Sequence, residues 1–301
     1  MIQSATLQNA GFREKKCVTC GDTVAEEIPC LAGAVEGWSL TLGADLTVNF
    51  KMRIHPDIQS TAQVVLTVAE ESICYTVSEH TPDDSGTYLF SVPVAAAQMA
   101  DDITVQIVNG NDACAPRTYR VVDYARYILA NESMSSYHQL VKEMLSYGAA
   151  AQVYFDYNTS NLVNAGITGV GMSEIPADAA AVQKVEDNDA NINFYGASLL
   201  FRDKIGIRYY FTVSGNADEY TFTVDGEVCK AAQKGELYYV EITDINPQDL
   251  DDTRWVSAGD VTASYCPMNY RLRMSQRGSE NLKALMKALY NYHLAAKVYA
   301  N

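Results

Sequence analysis

The chain has 301 residues, of which 48% are hydrophobic and 20% are charged, and its formal net charge is −15. This acidic balance disfavours binding to nucleic acid or to anionic lipid, because like charges repel. The sequence has no run of about 18 apolar residues, so no membrane insertion is expected. The length favours two globular domains, whose charge suits a neutral sugar or a cation such as calcium as ligand.

The first predicted segment, residues 1–35, carries Cys17, Cys20 and Cys30. Cys17-Val-Thr-Cys20-Gly is a CxxCG knuckle, in which a reverse turn points two thiolates at one zinc ion. A tetrahedral zinc site needs four ligands, and Cys30 is a nearby third. Bound zinc, a local disulfide and free thiols therefore all remain open for these three cysteines.

Predicted module A, residues 36–158, begins with short strands. Residues 40–50 alternate apolar and polar side chains around Gly43-Ala44-Asp45, which predicts a hairpin. Further strands are predicted, separated by turn-forming residues, at 63–68, 74–77, 87–92 and 103–108. Several short strands separated by turn-forming residues are typical of a β-sandwich.

The end of module A changes to a helical period. Residues 119–129 predict a short helix, and residues 136–155 predict a longer one. The longer helix has one apolar stripe, formed by Leu140, Met144, Tyr147, Ala151 and Tyr154. Such a stripe must be buried, either against its own sandwich or against the neighbouring module.

A polar, weakly periodic linker is predicted at 159–191, before module B at 192–301. The helix LVKEMLSYGAAAQVY, from Leu140, recurs without a gap as LMKALYNYHLAAKVY, from Leu285, with seven of fifteen positions identical. The sequence thus predicts an α+β fold of two tandem β-sandwich modules, each followed by an amphipathic C-terminal helix. A preceding short helix is predicted in module A alone.

Segments upstream of this helix support the duplication, because they recur in the same order. The matched pairs are 39–52 with 198–211, the strand at Tyr88 with that at Leu237, Asp102-Ile-Thr with Asp260-Val-Thr, and Tyr119-Arg with Tyr270-Arg.

The remaining cysteines form one pair in each module. Cys74 and Cys229 occupy roughly equivalent positions, and Cys114 and Cys266 both precede a nearby proline. We predict the disulfides Cys74–Cys114 and Cys229–Cys266, which would stabilise each module by roughly 3–4 kcal/mol in the chain-entropy model. Two buried free thiols in each module are the alternative.

Catalytic and cofactor patterns are absent from the sequence. The four histidines show no metal-ligand spacing, and no nucleophile elbow, P-loop or dinucleotide glycine pattern occurs. Acidic pairs such as Asp83-Asp84 and Asp251-Asp252 fit solvated turns, with calcium binding as the open alternative. We therefore expect no enzyme, no catalytic residues and no required cofactor.

Aromatic residues are the remaining candidates for ligand binding. Flat rings with polar groups at their edges suit neutral sugars, and we select Trp38, Trp255, Tyr157 and Tyr195 as candidates. The two tryptophans are not repeat equivalents, so a shared core requires neither of them. Buried packing is the alternative role for all four.

GFREKKCVTCGDTVAEEIP resembles the cysteine-containing repeats of large surface proteins of gut Clostridia and their relatives. In those repeats a TCTEKG segment precedes CxxCG and an IPALGH ending, and here Leu7 stands in place of the first cysteine. TLGADLTVNF, YRVVDYARYIL and LVKEMLSYGAAAQVYFDYN also look like a module that recurs in those proteins, echoed by SLLFRDKIGIRYYF.

This resemblance implies a secreted or cell-surface bacterial protein, of which the chain is a fragment that begins inside a cysteine repeat. It implies no known activity. Together with the acidity, the tyrosine content and the lack of catalytic groups, it favours a non-catalytic binding module for polysaccharide. A structural or adhesive spacer that contacts another surface protein is the alternative.

Overall fold

A computed structural model describes residues 2–3, 6–9, 11–16, 23–28, 33–167, 183–185, 191–243 and 245–300. These residues form two compact units. Unit 1 holds the described residues of 1–41, 47–94 and 101–121, and unit 2 holds those of 42–46, 95–100 and 122–301. Cys17, Cys20 and Cys30, the predicted metal ligands, lie outside the described residues.

The strands of the first 120 residues are β1 (Ile2–Gln3), β2 (Gly11–Lys16), β3 (Thr23–Ile28), β4 (Ala34–Leu42), β5 (Leu46–Arg53), β6 (Gln63–Val68), β7 (Glu71–Thr76), β8 (Tyr88–Val94), β9 (Ile103–Asn109), β10 (Asp112–Ala113) and β11 (Arg117–Tyr119). They form sheets of order β1-β2-β3, β4-β5-β8 and β10-β9-β6-β7, and β11 also pairs with β9. Successive side chains of a strand point to opposite faces of the sheet, and this explains which residues form the core. In β5, Val48, Phe50 and Met52 are buried while Lys51 and Arg53 are exposed.

Helices α1 (Val121–Ala130) and α2 (His138–Phe155) follow. The later elements are β12 (Gln183–Val185), β13 (Ile192–Leu200), β14 (Gly206–Val213), β15 (Phe222–Val224), β16 (Glu227–Cys229), β17 (Ala232–Lys234), β18 (Leu237–Ile242), β19 (Arg254–Ala258), β20 (Val261–Tyr265), α3 (Pro267–Arg277) and α4 (Glu280–Ala300). Their sheets have the orders β13-β14-β18-β17 and β12-β20-β19-β15-β16. The mixed α+β class is thereby confirmed.

One strand order occurs twice along the chain. The order β4-β5-β8 has its counterpart in β13-β14-β18, and β9-β6-β7 has its counterpart in β19-β15-β16. Two helices follow the strands in both cases. Two of the matched sequence segments do not correspond in the structure. Asp102 precedes β9, the counterpart of β19, whereas Asp260 precedes β20, and Tyr119 ends a strand whereas Tyr270 lies inside α3.

Helix α3 corrects the expectation that a short helix precedes the long helix in predicted module A alone. It begins at Pro267, a residue favoured in the first turn, and runs to Arg277. Its sequence, PMNYRLRMSQR, is rich in polar residues and shows no apolar stripe, so periodicity did not reveal it. Helices α1 and α2 are confirmed to within two residues of their predicted ends.

The predicted disulfides are wrong, since Cys74, Cys114, Cys229 and Cys266 are all free. Cys74 lies on β7 and Cys114 is bonded to β9, so that β6 and β9 stand between them. Cys229 on β16 and Cys266 after β20 are likewise separated by two strands. Three strand spacings amount to about 14 Å, which is twice the reach of a disulfide.

The described residues of the predicted linker belong to unit 2. Strand β12 pairs antiparallel with β20. Val163 is buried, and its N–H donates to Oε1 of Gln152 on α2 at 2.9 Å. Within the described ranges, no helix is both long enough and apolar enough to cross a bilayer.

Helices α2 and α4 pack against each other within unit 2. Tyr147 of α2 and Tyr292 of α4 stack at the contact, with ring centroids 5.9 Å apart and planes inclined by 18°. Tyr137, before α2, meets Tyr299, near the end of α4, at 5.2 Å, so the two helices run antiparallel. The apolar stripe predicted for each helix is thus buried partly against the other helix.

Candidate functional site

The four predicted ligand-binding aromatics are divided between the two units, and the three in unit 2 lie on different elements. Trp38, in unit 1, packs on Tyr119 and Phe50 with ring centroids 5.3 and 6.4 Å apart, an arrangement that suits a packing role. Tyr157 is half-buried just after α2. Trp255 and Tyr195 are exposed, but they stand on different sheets of unit 2.

Trp255 is 43% exposed on β19, and its backbone is fixed by the neighbouring turn. Its N–H donates to Oδ1 of Asp225 at 2.9 Å, and the N–H of Asp225 donates to the carbonyl of Trp255 at 2.7 Å. Asp225 also faces Arg254 at 3.3 Å. Within the described residues no second ring accompanies Trp255, so it offers a single stacking surface.

Tyr195 belongs to a row of tyrosines that crosses three adjacent strands of unit 2. We call Tyr195 on β13, Tyr210 on β14 and Tyr239 on β18 the tyrosine row. Tyr210 and Tyr239 are direct partners in the ladder, with ring centroids 6.0 Å apart and planes inclined by 54°. A bulge between Phe194 and Gly196 places Tyr195 next to Gly196, the ladder partner of Tyr210, and 69% of the Tyr195 surface is exposed.

Strand alternation explains why these rings face outward. The adjacent residues Tyr209 and Val240 are buried, so Tyr210 and Tyr239 must lie on the opposite face of the sheet. Arg208 and Glu241 are also partners in the ladder and share that outer face. The row therefore has a fixed backbone and charged neighbours.

Arg208 links the tyrosine row to its charged neighbours. Its guanidinium carbon lies 4.2 Å from the centre of the Tyr239 ring, and its nitrogens pair with the Glu241 carboxylate. Burial opposes the charge, but hydrogen bonds to Tyr210 and Glu241 outweigh it and raise the pKa of Arg208. Arg208 is thus held in place as a cation with its donors directed along the sheet.

An open cleft of about 630 Å³ adjoins the Arg208 end of the row. Tyr154 and Phe155, at the end of α2, and Phe201, after β13, form one wall. Their ring centroids lie 5.0–5.9 Å apart, in edge-on and tilted pairs. A rigid aromatic wall of this kind is typical of small-ligand sites, which combine apolar lining with a few polar groups.

The other wall of the cleft carries balanced charges. The turn between β13 and β14 supplies Arg202, Asp203 and Lys204, and Arg208 and Glu241 complete the rim. The ammonium group of Lys204 lies 3.5 Å from the Asp45 carboxylate. The three cations of the rim are thus matched by its two carboxylates together with Asp45, which pairs with Lys204 from outside the lining, although the chain as a whole carries −15. Such a rim offers many hydrogen-bond donors and acceptors without a net charge.

The residues that line the cleft include no histidine, cysteine or serine. Elsewhere in the described ranges, no group of three or more histidine, cysteine or acidic residues could hold a metal ion. The arrangement can bind an uncharged polar molecule by stacking and by charge-assisted hydrogen bonds.

Most of this site was missed from sequence. The sequence predicts Tyr154 in the buried stripe of its helix, and it selects neither Tyr210, of the pair Tyr209-Tyr210, nor Tyr239, of the pair Tyr238-Tyr239, for ligand binding. A usable signal was present, because adjacent residues of a strand point to opposite faces and one tyrosine of each pair must face outward. The approach of Phe201 to α2 had no such signal, since it depends on how distant elements pack.

Comparisons with known proteins provide no family for this chain. No protein-family model and no curated protein sequence matches it. Among solved structures, it is aligned with "Chimeric titin Z1Z2 functionalized with a KLER exogenous peptide from decorin" at 12% identity, over 77% of this chain and 95% of that one. The TM-score of that alignment is 0.18, which is too low to indicate a shared fold.

Proposed function

We propose that the chain is a non-catalytic, extracellular binding module of a larger bacterial protein, and that it recognises polysaccharide. The tyrosine row beside a charge-balanced cleft is the observation that carries this proposal. A sugar ring presents a C–H face that stacks on an aromatic ring, and its hydroxyls bond to polar groups at the ring edges. Arg208 and Glu241 supply such groups beside Tyr239.

The inclination of the rings favours a particular form of polysaccharide. Tyr210 and Tyr239 are inclined by 54° rather than coplanar, as expected for side chains on neighbouring strands of a twisted sheet. A flat crystalline surface would need coplanar rings. The row instead suits single, twisted chains in solution.

The module plan belongs to the same proposal. Residues 1–35 would end a cysteine-containing repeat, 36–158 and 192–301 would be tandem β-sandwich modules, and 159–191 would connect them. The repeated strand order and the repeated pair of helices support the duplication. The extracellular location depends on the resemblance to clostridial surface proteins.

Affinity electrophoresis of the purified chain through gels that contain starch, xylan or mucin tests the proposal. We expect retardation by at least one soluble polysaccharide. Tyr195→Ala and Tyr239→Ala should each weaken binding about fivefold, since an aromatic contact contributes about 1 kcal/mol. Tyr127→Ala, which removes an exposed ring on α1 outside the site, is the matched control.

Retardation by none of the polysaccharides would contradict the proposal. Equal effects of Tyr195→Ala and Tyr127→Ala would contradict the assignment of the site.

A structural or adhesive spacer is the second candidate, and an exposed apolar cluster favours it. Val298 is 79% exposed and Tyr299 is 53% exposed near the end of α4, and Tyr299 contacts Tyr137. This function predicts no polysaccharide binding. It also predicts that Val298→Asp weakens adhesion to a protein-coated surface while Val228→Asp, at an equally exposed position on β16, does not.

A further inference from the structure

A second cleft of unit 2, of about 380 Å³, lies on the other face of the sheet from the tyrosine row. Tyr238 lines this cleft, whereas its neighbour Tyr239 belongs to the row, because adjacent residues of a strand point to opposite faces. Tyr220 and Phe222 add two further rings to the lining. The cleft is therefore distinct from the site proposed for polysaccharide.

The part of the lining that comes from β16 and the residues after it has smaller side chains. Cys229 ends β16, and Ala231 follows two residues later. Burial raises the pKa of the Cys229 thiol, which therefore stays uncharged at neutral pH. Three rings beside small uncharged side chains make up a lining of the kind found in small-ligand sites.

The hairpins β6–β7 and β15–β16 align residue by residue. A residue of positive φ follows the first strand in each, Ala69 at 51° and Asp225 at 48°. The two strands pair in the same register around both turns. This alignment places Tyr75 of β7 at the position of Ala231.

Tyr75 is a packing residue in unit 1. Its ring centroid lies 5.5 Å from that of Phe90 on β8 and 5.3 Å from that of His80. Unit 2 has no ring at this position, and Ala231 lines the cleft instead. Apolar cavities that are left by a shortened side chain bind molecules such as benzene. The cleft is thus suited to a ligand with an aromatic ring.

The charged groups of the cleft favour an uncharged ligand. Asp218 and Lys230 are the two charged residues of its lining, and their charges cancel. A carboxylate accepts a hydrogen bond from a hydroxyl group, and an ammonium group donates one to it. The net charge of −15 disfavours an acidic ligand.

We propose that this cleft binds a small, uncharged aromatic molecule of the phenol class. The ligand ring takes the place that the Tyr75 ring has in unit 1 and stacks on the rings of Phe222 and Tyr238. Its hydroxyl bonds to the polar groups of Asp218 and Lys230. The proposal is independent of the polysaccharide site.

Titration of the full chain with phenol, followed by NMR, tests the proposal. We expect saturable binding, with nuclear Overhauser effects between the phenol ring and the rings of Phe222 and Tyr238. Cyclohexanol has a similar size but no aromatic ring. It should bind about threefold more weakly, because pairs of aromatic rings attract each other beyond the effect of the area that they bury.

Ala231→Tyr should weaken phenol binding at least about tenfold, because its ring fills the cleft and a ligand would then be overpacked. This variant should fold, since unit 1 has tyrosine at the aligned position. Ala232→Tyr, at the next and exposed residue, should leave the affinity unchanged. Tyr239→Ala should also leave it unchanged, because that ring lies on the other face of the sheet.

The absence of saturable phenol binding, equal affinities for phenol and cyclohexanol, or full binding by Ala231→Tyr would each overturn the proposal. Nuclear Overhauser effects to Tyr195 and Tyr239, in place of those to Phe222 and Tyr238, would also overturn it, because phenol would then occupy the tyrosine row.

Discussion

Helices α2 and α4 each pack against a short turn, but they make the contact with different residues. Each packs near its middle against a short 3-10 turn, Ala96–Gln98 for α2 and Pro247–Asp249 for α4. A Cβ added to Gly148 of α2 would lie 2.9 Å from the carbonyl oxygen of Ala96. At the aligned position of α4, Nδ1–H of His293 donates to the carbonyl oxygen of Pro247 at 2.7 Å.

The difference shows how two similar contacts between a helix and a turn acquire different chemistry. Glycine permits close approach of the turn and brings no charge, whereas histidine spans a wider gap and brings a titratable ring. His293 is buried, and its Nε2 lies 3.7 Å from Asp251. Sensitivity to pH is therefore expected at the second contact and not at the first.

Gly148→Ala is expected to give the largest effect. The added methyl group would meet the Ala96 carbonyl and the Met99 sulfur, both at 2.9 Å, so the turn or the helix must shift. Overpacking of this kind lowers the free energy of unfolding by about 1–3 kcal/mol. Urea unfolding measures it, and Gly37→Ala, where a Cβ meets nothing within 4 Å, is the control. Equal stability of Gly148→Ala and the wild type would show that the turn or the helix shifts without a loss of stability.

His293→Gln should remove part of the acid sensitivity. Burial lowers the pKa of His293 most strongly, and Lys297 and Arg271 act in the same direction, whereas Pro247 and Asp251 oppose it. The unfolded chain then binds the proton more readily, so stability is full above the ordinary histidine pKa, about 6.5, and falls as the pH drops below it.

Glutamine can keep a hydrogen bond to the Pro247 carbonyl but does not titrate, so we expect a loss of about 1 kcal/mol at pH 7.5 and a flatter profile below pH 6.5. Urea unfolding between pH 5 and 8 gives the comparison. Identical slopes for wild type and variant would contradict the role assigned to His293.

The smallest expected effect concerns the ring pair that joins the two helices. Burial raises the pKa of both Tyr147 and Tyr292, which therefore stay protonated while they stack. A double-mutant cycle with leucine at both positions should give a coupling of about 0.5–1.5 kcal/mol. Tyr147→Leu combined with Tyr220→Leu, which is not in contact with it, should be additive to within about 0.5 kcal/mol. A coupling near zero for the stacked pair would show that the rings contribute through burial alone.

Local pattern predicted much of the fold but little of the candidate site. Helix periodicity located α2 and α4, and strand alternation located the hairpin of β4 and β5, since both depend on residues close in sequence. Of the four selected aromatics, only Tyr195 lies in the tyrosine row. Trp38 and Trp255 stand out in the sequence because they have no repeat equivalent, whereas Tyr210 and Tyr239 lie in segments that the repeat already accounts for.

Local patterns along the chain are enough to predict the mixed class of the protein, its long helices and the recurrence of one helix, because amphipathic period and residue identity are local properties. Which strands are neighbours is fixed by packing over long range. That order put two strands between the cysteines of each predicted pair, and it aligned Tyr195, Tyr210 and Tyr239 on three adjacent strands. Contacts between residues far apart in sequence depend on how whole elements pack, and no short window of sequence contains that information.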